Sequence, residues 1–254
     1  FRQPLAFGVL FALFGFGVFL LLQVPAIGPV IALSLMPVAT VTFLLATREV
    51  LAGRPASPRL IALPLRDPLN RNRLLQLGAA YAATAIAVVL AAHLLDGGRF
   101  AAAVEAIAAN ETTAEGALQD PLLPVSVLLR LGLMALASLA FWHAPALICW
   151  GRMTVGKALY ASIVACWRAR GAFVVYGVAW FALTMLFVTV LQLLSALLGL
   201  QPVIGMAVLP LTMLLSTIFY ASLYFSFVDS FEVGTATERA AAPEASGDEP
   251  PAAS

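Results

Sequence analysis

FWHAPALICWGRMTVGKALYASIVACWRARGAFVVY, Phe141–Tyr176, is the stretch on which the fold turns. It holds the end of one apolar run, a proline, a short basic segment and the start of the next apolar run. The run Leu122 to Cys149 carries only Ser126, Arg130, Ser138 and His143 as polar side chains. It is therefore long enough to cross a bilayer, which needs about 20 apolar residues. Pro145 has no N–H and crowds the preceding turn, so the helix is expected to kink or stop around His143 to Ala146. Arg152 and Lys157 follow and need water or lipid phosphate.

Thr154 is placed to cap a new helix, 154–168. At helical spacing, Val155, Leu159, Ile163 and Trp167 form an apolar ridge, and Ala158, Ser162 and Cys166 form a row of small residues. Lys157, Arg168 and Arg170 lie around the polar side and the end. A short basic amphipathic helix of this kind lies in the membrane interface, anchored here by Lys157, Trp167, Arg168 and Arg170. The small row suits close approach of a partner helix.

Outward from this stretch the chain is a series of apolar runs. Spans are expected at about 4–22, 28–47, 74–95, 122–144, 171–198 and 203–228. The fold class is therefore all-α, a polytopic bundle of about six transmembrane helices over 1–232. A Pro/Ala/acid-rich tail, 233–254, is expected to be disordered. The first run has no small-residue cleavage site after it and reads as a retained span. Phe1 opens the chain without a methionine, so an upstream piece is expected. Between the spans, FAAAVEAIAA (100–109) reads as a short amphipathic helix. An internal echo relates RQPLAFGV (2–9) to RARGAFVV (168–175) and PAIG (25–28) to PVIG (202–205), with prolines following at Pro37 and Pro210. Spans one–two and five–six would then be two related helical hairpins. Both transporters and structural membrane domains are built from such repeats.

FWHAPAL, KALYAS and CWRARGAFVVYGVAW, together with FRQPLAF near the start and FYASLYFSFVDSF near the end, resemble a family of uncharacterised proteobacterial multi-pass membrane proteins. The likeness covers nearly the whole chain and implies architecture, not chemistry. His143 departs from it, standing where an aromatic or apolar residue is expected. More loosely, A-P-A-L followed by A-L-x-x-S is similar to the membrane domain of some glycerophosphodiester phosphodiesterases. That likeness carries no catalytic residue over.

Composition agrees with a membrane chain. The sequence is 62% hydrophobic and 11% charged, against about 25% charged in soluble domains. A net charge of +1 argues against nucleic acid as a partner. Segments 48–73 and 150–170 hold ten Lys and Arg, six in the first and four in the second, whereas 96–122 holds one, Arg99. The positive-inside rule then puts the first two in the cytoplasm and the third outside, with both termini inside a bacterial inner membrane. Cys149 and Cys166 are too few for a disulfide framework and lack zinc-ligand spacing.

Few residues offer chemistry. Arg130 is the one clear charge within a span, about 12 Å deep at helical rise, and intramembrane charges are functional candidates by default. Gln192 and Thr212 reach a similar depth, so the three can form an outward polar pocket for an anionic group. Alternatively Arg130 snorkels to Asp120, Asp96 or lipid phosphate, and this depth is within a long side chain's reach. In span six, Thr212, Ser216, Tyr220 and Tyr224 form one polar row, and Ser222, Ser226 and Ser230 another, with Asp229 at the exit. They read as a lined pathway or as interhelical hydrogen bonding. His143, beside Pro145, is placed to bond a freed carbonyl, and His93 near Asp96 to make a helix-end contact. Trp142, Trp150, Trp167 and Trp180 are placed to form an aromatic belt at the inner interface.

Glycine-rich phosphate loops, a nucleophile elbow, CxxC and HExxH are absent, so no catalytic residue, cofactor or metal is assigned. The reading that follows is a non-enzymatic accessory, assembly or scaffold subunit of a membrane complex. Its partners are membrane lipids and another membrane protein or a second copy. The alternative is a transporter or a lipid- or solute-binding protein with its pocket at Arg130. An enzyme acting on phospholipid rests on analogy alone.

Overall fold

The computed structural model describes residues 4–109, 116, 119–199 and 212–231. The elements among them are helical. They are α1 (Pro4–Leu22), α2 (Ile27–Ser34), α3 (Met36–Leu51), a 3-10 turn (Pro58–Ile61), α4 (Leu63–Arg66), α5 (Pro68–Asp96), α6 (Arg99–Ala108), α7 (Leu123–Phe141), α8 (Ala144–Cys149), α9 (Val155–Arg168) and α10 (Arg170–Leu198), then α11 (Thr212–Phe231). Among the described residues six segments are long and apolar enough to cross a membrane: Leu5–Leu22, Ile27–Leu51, Pro68–Asp96, Leu123–Cys149, Arg170–Leu197 and Thr212–Phe231.

Several helix bounds differ from the sequence expectation, each for a local reason. α5 begins at Pro68 rather than Leu74, so RDPLNRNR is largely helix and not loop. Its Asp67 carboxylate accepts the Leu69 N–H at 3.1 Å, and Pro68, which has no N–H to lose, fills the first helical position. The second span runs on to Leu51 and bends at Leu35, one residue ahead of the Met36–Pro37 start of α3. Thr154 stands at the N-cap of α9 with extended backbone, yet its side chain makes no cap bond. Residues 200–211 and 232–254 lie outside the described residues. So do most of the second hairpin's turn, the tail, and the Pro202 and Pro210 half of the internal echo.

The core is built around α3. Val38 and Val41 of α3 pack with Leu74 and Leu77 of α5, Leu147 and Ile148 of α8 and Ala158 of α9. On another side Phe43 and Ala46 meet Phe7 and Leu10 of α1. Leu44 meets Ala146 and Leu223 of α11. Thr42 and Thr47 are buried here because each hydroxyl donates to a carbonyl one turn back, Val38 and Phe43, at 2.9 Å. Gly78 of α5 lies against the end of α2, and a Cβ there would collide with the Ser34 carbonyl. Close passage of these two helices therefore requires glycine. α10 is the opposite case. It runs along the edge, and no residue of its most apolar stretch is buried within the chain.

Candidate functional site

The focal break is a bridged helix interruption. In an unbroken helix the His143 N–H would donate to the Leu139 carbonyl. Here the Ser162 hydroxyl of α9 stands between them. It accepts the His143 N–H at 3.0 Å and donates to the Leu139 carbonyl at 2.8 Å. The Cys166 thiol reaches the same carbonyl at 3.6 Å. Pro145, at the start of α8, cannot supply a donor of its own. Two causes of a kink thus coincide: a proline and a side chain inserted into the ladder.

This geometry relocates two sequence expectations. Ala158, Ser162 and Cys166 are all buried. Their small-residue face does admit a neighbouring helix, but that helix is the α7–α8 segment of the same chain, so the row is not open to a partner. The freed carbonyl is served by Ser162 and not by the His143 ring. The His143 ring is 1% exposed and sits among Phe173, Phe227 and Phe231, with centroids 5.4–6.0 Å away. Neither of its ring nitrogens has a partner among the described residues. Ser162 was visible in the sequence as a small residue, but nothing there marked it as the bridge.

At the other end of α5 and α7, Arg130 donates to the Asp96 carboxylate at 2.8 Å. Its guanidinium lies 4.5 Å from the Phe100 ring centroid. The second Asp96 oxygen accepts the Gly98 N–H at 2.9 Å. Arg99 donates to the Asp96 backbone carbonyl at 2.9 Å and reaches Asp120 at 3.6 Å. Gly97 and Gly98, both at positive φ, make the sharp α5–α6 corner possible. His93 is exposed beside that corner, its carbonyl accepting the Gly98 N–H. Arg130 is therefore closed into an ion pair, with its side chain 17% exposed. Gln192 and Thr212 are exposed, and no hydrogen bond among the described residues joins them to Arg130. Of the two sequence readings of Arg130, the structure shows the pairing with Asp96 and not a pocket shared with Gln192 and Thr212.

The rows of α11 separate. Tyr220 stacks on Phe43, with centroids 4.5 Å apart, and lies near Phe11. Tyr224 meets Trp150 edge-on, and Ser216 is half-buried. Tyr220 and Tyr224 of that row thus pack against aromatic side chains of neighbouring segments. In the other row the Ser222 hydroxyl pairs with the Tyr176 hydroxyl at 2.7 Å. Ser226, Asp229 and Ser230 line a groove of about 480 Å³ with Ala172 and Phe173 of α10. A larger apolar groove, about 630 Å³, lies between α1 and the α2–α3 bend. Of the four tryptophans, Trp167 is exposed, with the Arg170 guanidinium 5.8 Å from its ring centroid. Trp142 and Trp150 instead pack against Phe173, Phe219, Tyr224 and Phe227, joining the α7–α8 segment to α10 and α11, and Trp180 of α10 packs against Phe219 of α11. Lys157, Arg168 and Arg170 are exposed, as an interfacial helix requires. Among the described residues no group of three or more His, Cys, Asp or Glu is placed to hold a metal ion.

These features define a polytopic helical membrane protein whose few long-range polar contacts tie its own helices together. The chain is 34% identical over 234 residues to a probable inner membrane protein of Burkholderia thailandensis, covering 91% of this chain and 86% of that protein. It belongs to the same family of multi-pass membrane proteins. Neither a family model nor a solved structure matches the chain. The looser likeness to the phosphodiesterase membrane domain finds no counterpart in these comparisons.

Proposed function

We propose that the chain is a non-enzymatic inner-membrane protein acting as an accessory, assembly or scaffold subunit of a membrane complex. The observation that carries this reading is the unpacked face of α10. No residue of its most apolar stretch is fully buried inside the chain, and Val174, Val175, Val178 and Phe181 are 61–69% exposed. A Cβ added at its Gly171 or Gly177 would meet nothing within 4 Å. Small residues on an uncovered helix allow a second helix to approach closely, and van der Waals packing then holds the pair. The partner is another membrane protein or a second copy of this chain. The relative's name and the loop charges favour the bacterial inner membrane with both termini in the cytoplasm.

Native mass spectrometry of the tagged protein, extracted in mild detergent from its own membrane, tests the reading. A stoichiometric partner or a dimer is expected. Val178→Trp, on the exposed face beside Gly177, should release that partner while leaving the chain folded. A solitary chain in both mild detergent and lipid nanodiscs would overturn the proposal.

A further inference from the structure

The turn between α8 and α9 opens a hollow of about 470 Å³ with Gly151, Arg152, Thr154 and Lys157 on its wall. Arg73 of α5 braces the turn from the side, its guanidinium donating to the Arg152 carbonyl at 2.6 Å. Three cationic residues thus gather at one place. Three described acids lie at this end of the helices. Glu49 is bonded to Arg54, Asp67 accepts the Leu69 N–H, and Asp229 lines the separate α10–α11 groove. None of them lines the hollow. With Arg152 and Lys157 on its wall and no carboxylate there, the hollow attracts an anion.

The neighbouring surface says which anion. Tyr160, Ile163 and Trp167 on the same helix are exposed at 70%, 44% and 64%. An apolar ridge beside exposed basic residues sits at the boundary of headgroups and acyl chains. The hollow then lies at headgroup level, with apolar surface alongside for the acyl chains. We propose that this hollow binds the phosphate of an anionic phospholipid, held by Arg152 and Lys157, with Arg73 fixing the turn that carries Arg152. This inference does not depend on the subunit reading.

The test uses the full chain in mild detergent, offered phosphatidylglycerol or phosphatidylcholine and read by native mass spectrometry. The wild-type chain should retain phosphatidylglycerol in preference. Arg152→Gln and Lys157→Gln should each weaken retention by about fivefold, the effect of one cation near an anionic surface. Lys157→Arg should keep it, and so should Arg59→Gln, a basic residue outside the hollow. Equal retention of the two lipids would overturn the proposal, as would an equal loss in Arg59→Gln. Displacement of the lipid by millimolar inorganic phosphate would assign the site to a free anion and overturn it too.

Discussion

At the scale of single residues, the Asp96–Arg130 pair is a balance of costs. Asp96 is 4% exposed and receives both the Gly98 N–H and the Arg130 guanidinium. A buried charge that loses its partner is expensive, on the order of 3 kcal/mol, whereas replacing both partners by apolar residues is often close to neutral. Asp96→Ala should therefore lower thermal stability in detergent well below wild type. Adding Arg130→Leu to it should recover most of the loss. If both variants lost stability equally, the clasp would be held by packing and not by charge. Cys166 makes a second residue-scale prediction. Burial pushes its thiol up from 9.0 to about 11. The folded thiol keeps its proton where the unfolded one loses it, so its contribution is intact below pH 9 and falls away as pH rises toward 11. Maleimide, which needs the thiolate, should label Cys166 slowly at pH 8 in the native protein and rapidly once SDS unfolds it.

At the scale of elements, the α7–α8 break has two causes that mutation can separate. Pro145 removes a donor, while the Ser162 hydroxyl spans the gap between His143 N–H and Leu139 C=O. Pro145→Ala restores one possible bond, but the Ser162 bridge still holds the bend, so this variant should stay close to wild type. Ser162→Ala strands a buried donor and a buried acceptor and should cost about 1–3 kcal/mol. Melting temperatures in detergent compare the two. A larger loss in Pro145→Ala would mean that proline geometry, not the bridge, sustains the break. The proline was legible in the sequence because its effect is local. The bridge was not, because Ser162 lies 23 residues from Leu139 and meets it only through the packing of α9 on α7.

At the scale of the whole molecule, the charge asymmetry makes a topological prediction. Ten Lys and Arg in 48–73 and 150–170 stand against one in 96–122. Single cysteines placed at Arg54 and at Arg99, in a chain with Cys149 and Cys166 replaced by Ala, should differ in intact cells. A membrane-impermeant thiol reagent should reach position 99 and not position 54. The reverse pattern would invert the topology. It would also set the hollow of Arg152 and Lys157 against the opposite leaflet.

By itself the sequence determined the class: six apolar runs, a break near Pro145, and a basic helix ending near Arg168. These follow from composition, helical period and proline geometry, each a property of neighbouring residues or of the bilayer. Tertiary structure alone decided how the polar groups are used. For Arg130 it chose between two uses the sequence left open, turning it to Asp96 and Phe100 rather than to Gln192. The small row of Ala158, Ser162 and Cys166 faces α7 and α8 of its own chain, while the face of α10 stays uncovered. Helical periodicity says which residues share a face, but not what that face meets. That depends on how helices far apart in sequence rotate and cross when they pack.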